Sequence, residues 1–142
     1  MTNTTQFLMP VLALIAWTMV MWAWMYATRI PAMQAANIDP QDAAYSKDAL
    51  GQRLPPQVRW KADNYNHLHE QPTIFYALMF FAALTGGADA TATAMAWAYV
   101  GLRVVHSLVQ ATVNRIVLRF SIFMLASLVL VAFTVREAMR LM

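Results

Sequence analysis

Residues 58–84 read VRWKADNYNHLHEQPTIFYALMFFAAL, and this stretch decides the fold. Its second half, 73–84, is apolar, whereas its first half, 58–71, carries charges, amides and histidines. Only about 13 residues, from Pro72 onward, are apolar enough to face lipid, against the ~20 that cross a bilayer core. The polar half must therefore be shielded by protein or lie in the interface. Pro72 removes one helix donor and predicts a kink.

Around this stretch lie three plainer candidates for membrane spans. Residues 7–30, FLMPVLALIAWTMVMWAWMYATRI, carry no charge before Arg29. The third span runs from about 90 to 112 and contains Arg103 and His106; the fourth runs from about 117 to 137. Arg136 and Arg140 at its end read as interfacial anchors. Residues 31–57 hold Pro31, Pro40, Pro55 and Pro56 and read as a loop outside the hydrocarbon, with a short helical turn near 40–47. Gly86, Gly87 and Asp89 form a tight turn. With short connections, the spans predict an all-α, integral membrane four-helix bundle of up-down-up-down topology, one domain over 1–142.

Composition agrees. Hydrophobic residues are 60% and charged residues 12% of 142, against about 45–50% and ~25% in average soluble domains. This excludes a disordered chain and argues against an ordinary soluble domain. Zero cysteines exclude disulfide scaffolds, thiol redox catalysis and cysteine-ligated zinc. A net charge of +3 gives no case for nucleic acid as a partner.

The polar residues of the second and third spans fall into stripes. Arg59, Asp63, Asn66 and Glu70 are spaced 4, 3, 4, with His67 at the edge and His69 pointing away. Tyr99, Arg103, His106, Gln110 and Asn114 are spaced 4, 3, 4, 4 and occupy a sector of about 80°. Two such stripes on neighbouring helices can line one cavity. Burying Arg103 costs roughly 2.5–3.5 kcal/mol even on the lenient insertion scale, so pairing with Glu70 or with a polar ligand is the expected compensation. Two readings stand: a ligand cavity, or an ion pair that only fixes helix packing. No metal site is expected, because His67 and His69 diverge by about 200° on a helix. The small residues of ATATAMAWA, 90–98, suit close helix packing.

The stretch DNYNHLHEQPTIFYAL, 63–78, followed by YVGLRVVHSLVQATVNRIVLRF, 99–120, resembles the MAPEG family, membrane-associated proteins in eicosanoid and glutathione metabolism. The resemblance covers nearly the whole chain. Its specific part is Glu70 followed by Pro72, Arg103 followed by His106, and Arg119 at the position of a catalytic arginine near the start of span four. The FYAL ending resembles a bacterial branch, for which the inner membrane is implied. The family implies a homotrimer in the bilayer, with glutathione as co-substrate between neighbouring subunits near the cytoplasmic face. It implies that Arg119 favours the thiolate, which then attacks a lipophilic electrophile or hydroperoxide. The implied glutathione-binding set is Arg59, Asn66, His67, Glu70, Arg103, His106 and Gln110. The chain departs from the family pattern in two places. His67 and Asp63 stand where the family has asparagine and arginine before the glutamate, leaving Asn66 and Arg59 as nearby substitutes. Gln110 stands where the enzymes tend to have tyrosine, and an amide cannot serve as an acid.

The functional reading is a glutathione-dependent transferase or peroxidase acting on lipophilic small molecules. The alternative is a non-catalytic lipid-binding or regulatory membrane protein of the same fold. A small multidrug transporter has a similar number of spans, but it needs a carboxylate in its first helix, and 7–30 has none.

Arg29, Lys47, Arg53, Arg59 and Lys61 follow span one, and Arg115 and Arg119 follow span three. Both groups lie on one side of a four-span bundle, so both termini are expected on the non-cytoplasmic side. A phosphatase reporter fused after Met142 should be active. Fluorescence from a reporter there that matures only in the cytoplasm would reverse the topology.

Overall fold

The computed structural model describes residues 4–44 and 51–142, and those residues are helical or irregular, with no strand among them. The elements are α1 (Thr4–Ala35), a short 3₁₀ turn (Pro40–Ala44), α2 (Pro56–His67), α3 (Gln71–Leu84), α4 (Ala90–Thr112) and α5 (Ile116–Leu141). The remainder of the helical turn expected over 40–47, including Lys47, lies outside the described residues.

Three helices, α1, α4 and α5, are long and apolar enough to cross a membrane. At 1.5 Å per residue even the 23 residues of α4 reach roughly 35 Å, beyond the ~30 Å hydrocarbon core. The stretch 58–84 is not one kinked helix. It is two helices of 12 and 14 residues, each too short to span alone. The break lies at 68–70, just ahead of Pro72, which sits in the first turn of α3, where its missing N–H is least costly.

α1 runs past the expected end at Ile30 and includes Pro31. It stops at Asn37, whose φ of 50° is left-handed. There Asn37 donates to the Gln34 carbonyl at 3.1 Å and Ile38 to that of Met33 at 3.0 Å, satisfying two carbonyls that the helix end leaves open. The chain then folds back, and Ile38, Leu54 and Val58 pack on Ala32 and Met33 as a small apolar cluster.

The main core follows helical periodicity. Phe7, Val11, Leu14, Met21 and Met25 are the inner face of α1. Ala92, Ala96, Tyr99, Arg103, His106 and Gln110 are the inner face of α4, so the polar stripe of the sequence continues a row of small residues. Those alanines let α4 lie against α1 and α5. The outward faces are apolar as well: Leu12, Ile15, Met19, Phe120, Leu125, Leu128 and Val131 are exposed. A helix apolar all round suits a lipid surround, where that face needs no other cover.

At the α3–α4 turn, Gly86 has φ 77° and Gly87 donates to the Ala82 carbonyl at 2.7 Å. Asp89 caps α4 by accepting the Ala92 N–H at 2.8 Å. Its other oxygen accepts from Arg136, which also pairs with Glu137. Glu137 is only 1% exposed, and Arg140 binds it through Nη2 at 2.9 Å and Nε at 3.0 Å. Arg140 also donates to the Thr85 carbonyl and hydroxyl at 3.0 and 2.7 Å. Arg136 and Arg140 are therefore not only anchors; they fasten the turn to the end of α5. Gly87 is required there, because a Cβ would overlap the Glu137 carboxylate and lie 2.9 Å from Arg140 Nη2.

The Asp89 carboxyl is held below its ordinary range, chiefly by the Ala92 N–H and further by Arg136, against a smaller opposing effect of burial. A lowered carboxyl pKa contributes stability present above the unfolded value, about 3.9, and lost as pH falls through the folded one. Asp89→Ala should therefore cost about 1 kcal/mol at neutral pH. The gap in thermal midpoint between the variant and wild type should close in a titration below pH ~4. A gap that persists unchanged in acid would mean the carboxylate charge is irrelevant to the cap.

Candidate functional site

The break at 68–70 has a direct chemical consequence. In a continuous helix the His67 carbonyl would accept the Gln71 N–H. Here it accepts a longer bond from the Glu70 N–H at 3.3 Å and a second from Arg103 Nη2 at 3.1 Å. Arg103 is 1% exposed, and its guanidinium carbon lies 5.9 Å from the centre of the Phe123 ring. Its Nε and Nη1 are buried with no hydrogen-bond partner among the described residues. A buried cation is thus held by one carbonyl and one ring face, with donors to spare.

Arg103 is one of the residues that line a cavity of about 240 Å³. His67, Glu70 and Gln71 contribute the edge around the break, and Arg103 and His106 contribute the face of α4. α5 supplies Arg119 with an apolar rim of Ile116, Phe120 and Phe123. The turn before α5 sets Arg119: Asn114 has φ 44° and its side-chain oxygen accepts from Arg119 Nη1 at 2.7 Å. His67 Nδ1 lies 3.0 Å from Gln110 Oε1, which ties α2 to α4 just behind the wall.

Five sequence candidates therefore meet: His67, Glu70, Arg103, His106 and Arg119. Gln110 is buried and touches the group through His67. Arg59 and Asn66 do not reach the cavity; Asn66 is exposed on α2, as is Asp63. The expected direct pairing of Glu70 with Arg103 is not formed. Among the described residues no ion pair within 4.0 Å joins them. The break leaves Glu70 as the residue before α3, exposed at the rim, and offers Arg103 a carbonyl instead.

Sequence reasoning missed Gln71, whose amide bridges Tyr99 OH at 3.2 Å and Ser127 Oγ at 2.8 Å across three helices. Its position four residues after His67 was the available signal. It also passed over the aromatic side chains of α5, which an apolar helix disguises, and the buried Glu137.

Because Glu70 and Arg103 share a cavity but no bond, their coupling should be small. Glu70→Gln should change stability by less than about 1 kcal/mol. Arg103→Gln should cost about 1–3 kcal/mol by stranding the His67 carbonyl. A double-mutant cycle in denaturant-detergent unfolding should give an interaction below ~1 kcal/mol. An interaction of ~3–5 kcal/mol would show a direct buried pair.

Comparison with curated proteins and with solved structures found no match. A profile of the MAPEG family matches residues 7–139. That span takes in all five helices, the break and every residue of the cavity wall. The chain therefore belongs to the MAPEG family.

Proposed function

We propose that the protein is a glutathione-dependent transferase or peroxidase acting on lipophilic electrophiles or hydroperoxides that reach it from the bilayer. The observation that carries this reading is the buried Arg103, which lines a cavity with an apolar rim and whose guanidinium Nε and Nη1 have no hydrogen-bond partner among the described residues. An arginine binds carboxylates through a planar fork, and glutathione has two. Arg119, on the same wall, is the group that would favour the thiolate over the thiol. Ile116, Phe120 and Phe123 form the side that an apolar second substrate would meet.

Two features support a homotrimer with the site between subunits. The cavity of one chain, about 240 Å³, is below the ~300–1,000 Å³ usual for small-molecule sites. Asp63, Asn66 and Glu70 are exposed beside it on a segment with the sequence of a half-span, and polar groups facing lipid are costly. A neighbouring copy would cover both. In this assembly α2 and α3 together complete a fourth span in the inner membrane, with the termini on the far side from the cavity.

The second reading is a non-catalytic lipid-binding protein of the same fold. It is favoured by the Asn114–Arg119 bond, which occupies one end of the proposed catalytic guanidinium. Titration of glutathione into the detergent-solubilised protein should give saturable binding. Arg119→Ala should lower kcat and kcat/KM together by about 100-fold while the glutathione affinity holds. Loss of affinity alone would make Arg119 a carboxylate clamp. Saturable lipid binding with neither glutathione binding nor turnover would establish the second reading.

A further inference from the structure

The contact between His67 and Gln110 has a chemical content beyond joining two helices. With Gln110 Oε1 as the acceptor, the 3.0 Å contact fits the His67 tautomer that carries its proton on Nδ1. Neutral imidazole has a single N–H. The other ring nitrogen, Nε2, is then a bare acceptor. His67 lines the cavity and Gln110 does not. An amide oxygen that fixes the tautomer of an imidazole is a known way to prepare a general base.

We propose that His67 is the base that takes the proton of the thiol substrate, with Gln110 as the residue that positions it. The proposal rests on the glutathione reading above and adds to it the group that removes the proton. Arg119 and Arg103 can stabilise a thiolate, but a guanidinium is always protonated and cannot accept a proton. His106 is also on the wall, but its Nδ1 has no partner to set its tautomer. Glu70 is exposed at the rim and keeps its contact with solvent.

The step balances. The S–H proton passes to His67 Nε2, and the sulfur attacks the electrophilic carbon. With an enone the C–S bond forms as the C=C electron pair moves into an enolate, and the imidazolium returns its Nε2 proton there. With an aryl halide the C–S bond forms as the carbon–halogen pair leaves with the halide ion, and the imidazolium releases its proton to solvent. The charges that would feel this transfer are Glu70 beside the break, Arg103 and His106 on α4, and Arg119 on α5. α1 contributes no charged or titratable group to the wall.

The test compares wild type with His67→Gln, Gln110→Leu and Gln110→Glu in detergent, using glutathione and a model aryl halide or enone. S-methylglutathione, which has no thiol proton, serves as the binding probe. His67→Gln should still bind S-methylglutathione saturably and should lose about 100-fold in kcat/KM at neutral pH beyond any change in that affinity. The acid limb of its pH profile should move up toward ordinary thiol ionisation at about pH 8.5. The thiolate absorbance that glutathione develops on wild-type protein should shrink in the same variant. Gln110→Leu should lower kcat by roughly 10- to 100-fold, and Gln110→Glu, which keeps an acceptor for Nδ1–H, should restore most of it. An acid limb and thiolate absorbance unchanged in His67→Gln overturn the proposal while leaving the glutathione reading intact. So does a Gln110→Leu variant that loses thermal stability but keeps the wild-type pH profile, because the contact is then a helix clamp. If wild type binds neither glutathione nor S-methylglutathione, both the glutathione reading and this one fall.

Discussion

The structure turns on the need to place the Arg103 guanidinium among packed helices. A central arginine costs roughly 2.5–3.5 kcal/mol on the lenient membrane scale. The chain meets this without the carboxylate that the sequence offers. It opens the helix that would have run through 58–84, and at the break the His67 carbonyl accepts from Arg103 as well as from the Glu70 N–H. The three residues of the break thus do two things at once. They satisfy part of a buried cation, and they carry His67 and Glu70 to the edge of the space beside it.

The other end of the helices is organised by opposite chemistry. Asp89 and Glu137 are both matched by arginines, and Arg140 continues to the Thr85 carbonyl. A buried glutamate flanked by two arginines is weak evidence for added stability, since desolvation offsets much of the attraction. Its clearer effect is geometric. It holds the end of α5 to the α3–α4 turn, while Asn114 holds Arg119 at the start of α5. α5 is fixed at both ends, and its aromatic side chains have one position relative to α4. Charge is thus paired at one end, while at the other Arg103 keeps donors without a hydrogen-bond partner among the described residues.

Much of this was legible in the sequence, for reasons of period. The row Tyr99, Arg103, His106, Gln110 is the buried face of α4 because spacings of three and four keep to one side of any helix, whatever the solvent. The apolar runs gave α1, α4 and α5, and the helix ends moved by a few residues only, as at Pro31, where the neighbouring residues favour continuation. The α2 row failed after Asn66 because periodicity assumes an unbroken helix and the break at 68–70 lies between Asn66 and Glu70. Arg59, Asp63 and Asn66 keep their common face but lose the cavity, while Gln71 gains it. Glu137 was not visible because one acidic residue between two arginines reads as a solvated helix end, and only the turn of Gly86 and Gly87 brings it against other backbone.

The polarity of the wall also limits what the cavity can do. Arg103 and Arg119 face an apolar rim across about 240 Å³. In such a space a thiolate is stabilised by the two guanidinium groups, yet a proton released to bulk water must first leave a region of low dielectric. Proton removal is therefore easiest when the acceptor lies in the wall and its charge appears beside a compensating anion. In the proposed reaction His67 would meet that condition, because the thiolate would form next to the imidazolium it creates and the pair would be neutral overall. The Gln110 amide keeps the acceptor aimed without adding a charge of its own. A carboxylate at the same position would draw the proton more strongly toward the imidazole, but it would itself need burial. In a helix that already carries Arg103, a neutral amide is the least costly way to orient a base.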